Sequence, residues 1–117
     1  MKKLKNNLLI KHVEFNGTSI AYVIINGIHY AAVKQVCTVL MVNYTRSFKN
    51  LQKLSIYYGE TIKLSVKMDN DIQRRFHLFI PEDLLLKWIM TIKKNDALFN
   101  ALRDELYDVF FMKFIKN

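Results

Sequence analysis

The run SIAYVIINGIHYAAVKQVCTVLMVNY, Ser19–Tyr44, changes its apolar period once, and that change decides the fold. Its first part, Ser19 to Ile25, is β-branched and aromatic, the composition of a strand. Asn26-Gly27 supplies the positive-φ pair that a two-residue hairpin turn favours, so the chain returns through Ile28-His29-Tyr30. From Ala31 the apolar positions become Val33, Val36, Cys37, Leu40 and Met41, a helical spacing that predicts a helix over Ala31 to Met41. Asn43 reads as the cap of a second helix with the apolar stripe Tyr44, Phe48, Leu51 and Leu54. Two helices this close have helix-turn-helix spacing.

Upstream, His12-Val13-Glu14-Phe15 reads as a strand and Asn16-Gly17 as a second tight turn, which makes a three-stranded meander. Downstream, Tyr57-Tyr58-Gly59 closes the helical pair. Ile62, Leu64, Val66 and Met68 then alternate with Lys63, Ser65 and Lys67, as in a strand with one wet face. Asp69-Asn70-Asp71 is a polar turn into a return strand, Ile72 to Ile80. Pro81 suits the first turn of a helix, Glu82 and Asp83 its positive end, and Lys93 and Lys94 its close. Asn95 is the expected cap of a last helix with the stripe Leu98, Leu102, Leu106, Val109 and Phe110, and Trp88 the expected anchor between the last two helices. The expectation is an α+β fold in one domain over residues 1–117, with meander and hairpin units, about four helices, and residues 1–10 as a flexible or edge lead-in.

Apolar residues are 51% of the chain, with three Gly and one Pro, which argues for a packed core rather than disorder. Lys and Arg outnumber Asp and Glu by 18 to 10, a net charge of +8. Such a balance attracts nucleic acid or an acidic partner, although a solubilising surface or an AT-rich genome also produces it. Cys37 is the sole cysteine, so no internal disulfide can form, and a buried, inert thiol in a reducing compartment is expected. The apolar part of MKKLKNNLLI is too short for a signal peptide, and no run approaches the roughly 20 apolar residues of a spanning helix. A cytoplasmic protein of a bacterial host cell, with no membrane partner, is the expectation.

Catalysis needs a nucleophile with its base, paired carboxylates or grouped metal ligands, and no such set is visible. His12, His29 and His77 are scattered over predicted strands without ligand spacing, so structural or surface roles are expected and no metal site. Gly17, Gly27 and Gly59 stand alone and fit turns rather than a phosphate loop. Asp96, Arg103, Asp104, Glu105 and Asp108 read as a solvated helix face. A non-enzyme without cofactor is therefore expected.

Two surfaces remain. Arg46, Lys49 and Lys53 recur at helical spacing on the second helix, with Tyr44 and Ser47 at its start, where a recognition helix presents residues to bases or phosphates. Lys63, Lys67, Arg74 and Arg75 could extend this patch as a wing; an ordinary amphipathic helix with a lysine-rich outer face is the alternative. Near the C-terminus, Phe111 and Ile115 fall opposite the Leu98 stripe, so Tyr107, Phe111, Phe114 and Ile115 form a candidate protein or self-association surface, the other reading being packing against the chain itself.

The order of elements, with YAAVKQVCTVL, the Ile80-Pro81 strand end, the Trp88-Ile89-Met90-Thr91-Ile92 helix and Leu106-Tyr107-Asp108-Val109-Phe110, resembles the N-terminal domain of phage antirepressors, related to Bro-N domains. The resemblance covers roughly Phe15 to Lys116. It implies a phage or prophage regulatory role, DNA binding, in whole antirepressors inactivation of a repressor protein by direct binding, and no catalytic residues. A protein-interaction or oligomerisation module of a phage particle or anti-defence system is the alternative. Relatives often carry Leu-Gly-Leu where this chain has Leu40-Met41-Val42.

Overall fold

Both Asn-Gly pairs form the turns that their chemistry demands: Asn16 and Asn26 sit at φ of 48° and 52°, and Gly17 and Gly27 at 79°. A computed structural model describes residues 2–4, 8–68 and 71–116. The elements are β1 (Lys2–Leu4), β2 (Lys11–Phe15), β3 (Thr18–Ile25), β4 (Ile28–Ala32), α1 (Val33–Leu40), α2 (Tyr44–Tyr58), β5 (Ile62–Val66), β6 (Arg75–Pro81), α3 (Glu82–Thr91), α4 (Ala97–Phe110) and a π-helical turn, Phe111–Ile115. The strands form a six-stranded sheet in the order β1-β5-β6-β4-β3-β2. The short β1 runs parallel to β5, and every other pair is antiparallel, giving an α+β fold.

Register assigns the two sheet faces, because directly opposed residues share a side. One face carries Val13, Phe15, Ile20, Tyr22, Ala31, Leu78 and Ile80, and packs against Val36 and Leu40 of α1, Leu84, Leu85, Trp88 and Ile89 of α3, and Leu106 and Phe110 of α4. The other face carries Ala21, Val23, Ala32, Ile62, Leu64, Val66 and Phe79, with Leu8 and Ile10 packed against them. Here the sheet curls: His12, Glu14 and Ser19 near one end of the strand order and Val66, Lys67 and Arg74 near the other line one groove of about 480 Å³.

Helix ends follow local chemistry. Past α1, Met41 takes φ 54° and ψ 42°; its N–H donates to Thr38 O at 3.1 Å and that of Val42 to Cys37 O at 3.0 Å. These are the two bonds of a Schellman motif, with Met41 at the position that glycine favours. Asn43 Oδ1 accepts the Arg46 N–H at 2.8 Å and starts α2 as expected.

Several expectations need correction. Asp96, not Asn95, caps α4, its carboxylate accepting the N–H groups of Leu98 and Phe99. Of the expected stripe of α4, Leu106 and Phe110 are buried and Leu102 and Val109 pack partly buried against the core, but Leu98 is 84% exposed, and Phe99 and Arg103 are buried in addition. Arg103 is thus not on the solvated face; its Nη1 donates to Ile92 O at 3.0 Å, satisfying a carbonyl just past α3. Pro81 ends β6 and precedes α3 rather than lying within it, and α3 stops at Thr91, before Lys93 and Lys94. The return strand begins at Arg75, not Ile72, and the Asp69-Asn70 part of the expected turn lies outside the described residues. Part of the lead-in is an edge strand, β1.

Candidate nucleic-acid interface

α2 has the sequence YTRSFKNLQKLSIYY, fifteen residues without an acidic side chain. Helical spacing divides it into two stripes. Leu51 is buried, with Phe48, Leu54 and Tyr58 partly buried beside it on the main core. Arg46, Lys49, Asn50, Lys53 and Tyr57 are exposed and recur at steps of three or four residues, so they present one face to solvent. Asn50 and Tyr57 were not picked out from the sequence, although the same spacing extended from Arg46 reaches both.

Ser47 does not belong to this face. It is 7% exposed, and its hydroxyl bonds the thiol of Cys37. Burial pushes that thiol up to about 11, against the smaller opposing effect of the Ser47 bond, so Cys37 is protonated and unreactive near neutral pH. Tyr44 is 37% exposed, with its ring 6.1 Å from that of Phe48; burial, then the neighbouring Cys37, raises its hydroxyl pKa. It stands at the margin of the basic face rather than at its centre.

The segment between α3 and α4 adds cations that the helix pattern alone did not place there. Arg46, Asn43 and Asn50 share a groove of about 300 Å³ with Lys93 and Lys94. The Lys94 ammonium lies 4.5 Å from the Phe99 ring centroid, and Asn100 brackets its backbone by accepting from Lys94 N and donating to Lys94 O. Around the other end of α2 the sign reverses: Tyr58 and Gly59 line a groove with Glu60, Glu82 and Asp83.

The β5–β6 hairpin holds the rest of the predicted basic set, but in a different groove. Lys67 and Arg74 line the curl of the sheet with Glu14 and Gln35, and Arg74 Nη2 donates to Ser65 O at 2.6 Å. Arg75 Nε lies 3.8 Å from Asp71 Oδ1, and Asp71 Oδ2 lies 2.7 Å from Nε2 of the buried His77. The His77 bond first, and the Met68 N–H next, hold the Asp71 carboxyl below its ordinary range. Lys63 is half-buried on the helix-bearing face, opposite Leu78. The hairpin cations are thus partly neutralised and lie apart from the face of α2.

At the C-terminal end, Tyr107 stacks on Phe111 at 6.4 Å, and Phe111, Met112 and Ile115 are exposed. Phe114 is not part of this surface: it is 5% exposed and packs against Tyr22, His29 and Phe110. It lies four residues after Phe110 and carries the buried stripe of Phe99, Arg103, Leu106 and Phe110 on into the π-helical turn. His29 Nδ1 lies 3.3 Å from Glu82 Oε1, and His12 is exposed on β2. Among the described residues, no three His, Cys, Asp or Glu side chains are grouped to hold a metal ion, and no helix is long and apolar enough to cross a membrane.

No significant match to the chain is found among curated proteins or among solved structures. The family model of the P22_AR N-terminal domain matches residues 11–109, and the chain therefore belongs to this phage antirepressor N-terminal domain family, a family with a phage regulatory role.

Proposed function

We propose that this chain is a DNA-binding regulatory module that acts without catalysis and presents the outer stripe of α2 to the duplex. The observation that carries this reading is the division of α2 into a buried apolar stripe and an exposed one of Arg46, Lys49, Asn50, Lys53 and Tyr57, on a helix without acidic residues. A helix fits the major groove, arginine and lysine pair with phosphates or guanine edges, and asparagine is the usual partner of adenine. Helix α2 follows α1 after three residues and starts beside Lys93 and Lys94, so phosphate contacts and base contacts fall at the same end. Lys67, Arg74 and Arg75 contribute long-range attraction rather than contacts along α2.

Filter binding to duplex DNA over a salt series tests the reading. Affinity falls steeply with salt, and each phosphate-contacting cation replaced by alanine lowers the log–log slope by about 0.9. Binding that is undetectable at low salt, or unchanged in Arg46→Ala/Lys49→Ala/Lys53→Ala, refutes it.

A second reading rests on the exposed apolar cluster of Phe111, Met112 and Ile115. It makes this end of the molecule the contact for a protein partner such as a phage repressor. Phe111→Asp/Ile115→Asp abolishes partner binding if this holds; full retention of binding counts against it.

A further inference from the structure

Strand β2, Lys11-His12-Val13-Glu14-Phe15, ends the strand order, so one of its edges is unpaired among the described residues. Which of its backbone groups point outward follows from the ladder. Ala21, directly opposite His12, donates its N–H to Gln35 Oε1 rather than to β2. The His12–Ala21 pair is therefore a non-hydrogen-bonded one, and the N–H and C=O of His12 face away from β3. Alternation along the strand gives Glu14 the same outward direction. The two-residue turn at Asn16-Gly17, closed by the Phe15–Thr18 pair, requires the same parity.

We infer that β2 is the interface for a second copy of this chain, paired antiparallel with itself about a two-fold axis at Val13. In that register His12 of one copy opposes Glu14 of the other, and each of the two such pairs exchanges two backbone hydrogen bonds, using the outward groups. The side chains agree with the backbone. His12 and Glu14, both exposed, oppose each other across the axis, while Val13 and Phe15 stay with their own core on the helix-bearing side. The neighbouring registers that use the same outward groups set His12 against His12 or Glu14 against Glu14, and like groups directly opposed are unfavourable.

The surroundings leave room for the partner. An open groove of about 750 Å³ runs along this edge between His12, Val13 and Glu14 and the side chains of Asp108, Val109, Met112 and Lys113. A two-fold axis normal to the sheet puts both helical layers on one side, so the two grooves meet. Val109 and Met112 then cover apolar surface around the paired strands, and Asp108 and Lys113 form a self-complementary pair of charges across the axis. The proposal stands apart from DNA binding, and its test contains no DNA.

Sedimentation velocity of the full chain over a concentration series reads the outcome. The wild type forms a dimer. His12→Pro removes an outward N–H that the monomer's ladder does not use, a position proline tolerates, and raises the dimer dissociation constant by at least roughly tenfold while the circular dichroism spectrum is retained. Glu14→Lys weakens the dimer and His12→Glu/Glu14→Lys restores it, because the exchange recreates opposite charges only in the Val13-centred register. A wild type that stays monomeric throughout overturns the proposal. So does a dimer that His12→Pro leaves intact, or one that only Phe111→Asp/Ile115→Asp dissociates.

Discussion

Replacing Met41 by glycine tests the turn that aims α2. Met41 holds φ 54° and ψ 42° immediately after α1, and its side chain is 77% exposed, so little packing compensates the strained backbone. A left-handed conformation costs a non-glycine residue about 1–2 kcal/mol. Glycine removes that cost but loses about 0.5–1 kcal/mol more conformational freedom on folding. The difference is a net stabilisation of about 0.5–1 kcal/mol for Met41→Gly, equivalent to a rise in Tm of roughly 2–5 °C in a chain of this size. Met41→Ala keeps the strain and gains nothing. Urea and thermal unfolding of both variants separate the outcomes. A Met41→Gly protein less stable than Met41→Ala refutes a left-handed residue at this position, and with it the Schellman closure that orients α2. The same residue accounts for a local difference from relatives: a Leu-Gly-Leu turn suits this geometry without strain, and Leu40-Met41-Val42 adopts it nonetheless.

Three further outcomes follow from the geometry. The folded-state pKa of Asp71 is depressed, so its contribution to stability is complete above the unfolded carboxylate value of about 4 and is lost as pH falls through the lower folded value. Urea midpoints of wild type and Asp71→Asn therefore differ from pH 7 to pH 5 and converge in acid; a gap that widens in acid refutes the sign. Trp88 is fully buried with its Nε1–H lacking a partner among the described residues, so Trp88→Phe, which removes that orphan donor, costs well under the about 3–5 kcal/mol of Trp88→Ala. Equal losses by calorimetry contradict this. In the DNA salt series Lys93→Gln lowers the slope by about 1, whereas Glu60→Gln, at the other end of α2, leaves it unchanged; the reverse pattern means that the helix docks by its C-terminal end.

Much of the fold was legible because the strongest signals were local. Asn16-Gly17, Asn26-Gly27 and the Asn43 cap act through their own backbone preferences, and the change of period at Ala31 marks the passage from β4 into α1. The misses came where tertiary context decides between adjacent residues. Asp96 and Asn95 are both able caps, and Leu98 and Phe99 both lie one turn before Leu102, so helical spacing alone does not decide that Phe99 enters the core while Leu98 stays exposed. Arg103 is buried because a carbonyl beyond α3 needs a donor, a demand invisible in a helical wheel. Ser47 and Phe114 lie four residues from Leu51 and Phe110 and share their buried faces, but a hydroxyl at a helix start and an aromatic near the chain's end do not by themselves signal burial. The basic residues of α2 could be read directly, but not that Lys93 and Lys94 join them, since this depends on how α2 packs along α3. The self-complementary KHVEF strand was likewise visible in principle. Only the strand order shows that it lies at an edge.

The two stripes of α2 make folding and binding separable in this chain. Leu51 is its one fully buried apolar residue, and its other inward residues, Phe48, Leu54 and Tyr58, are only partly covered. The helix therefore rests on the core by a narrow strip, packed chiefly against α3, and its start is set by the turn at Met41. Arg46, Lys49 and Lys53 lie away from that strip and are exposed, so their replacement by alanine, itself a strong helix former, leaves stability within about 0.5 kcal/mol. A loss of binding in those variants then measures lost contacts with the partner rather than lost structure. Changes at Leu51 have the opposite character: they remove the strip itself, and any loss of binding they produce follows from a displaced helix.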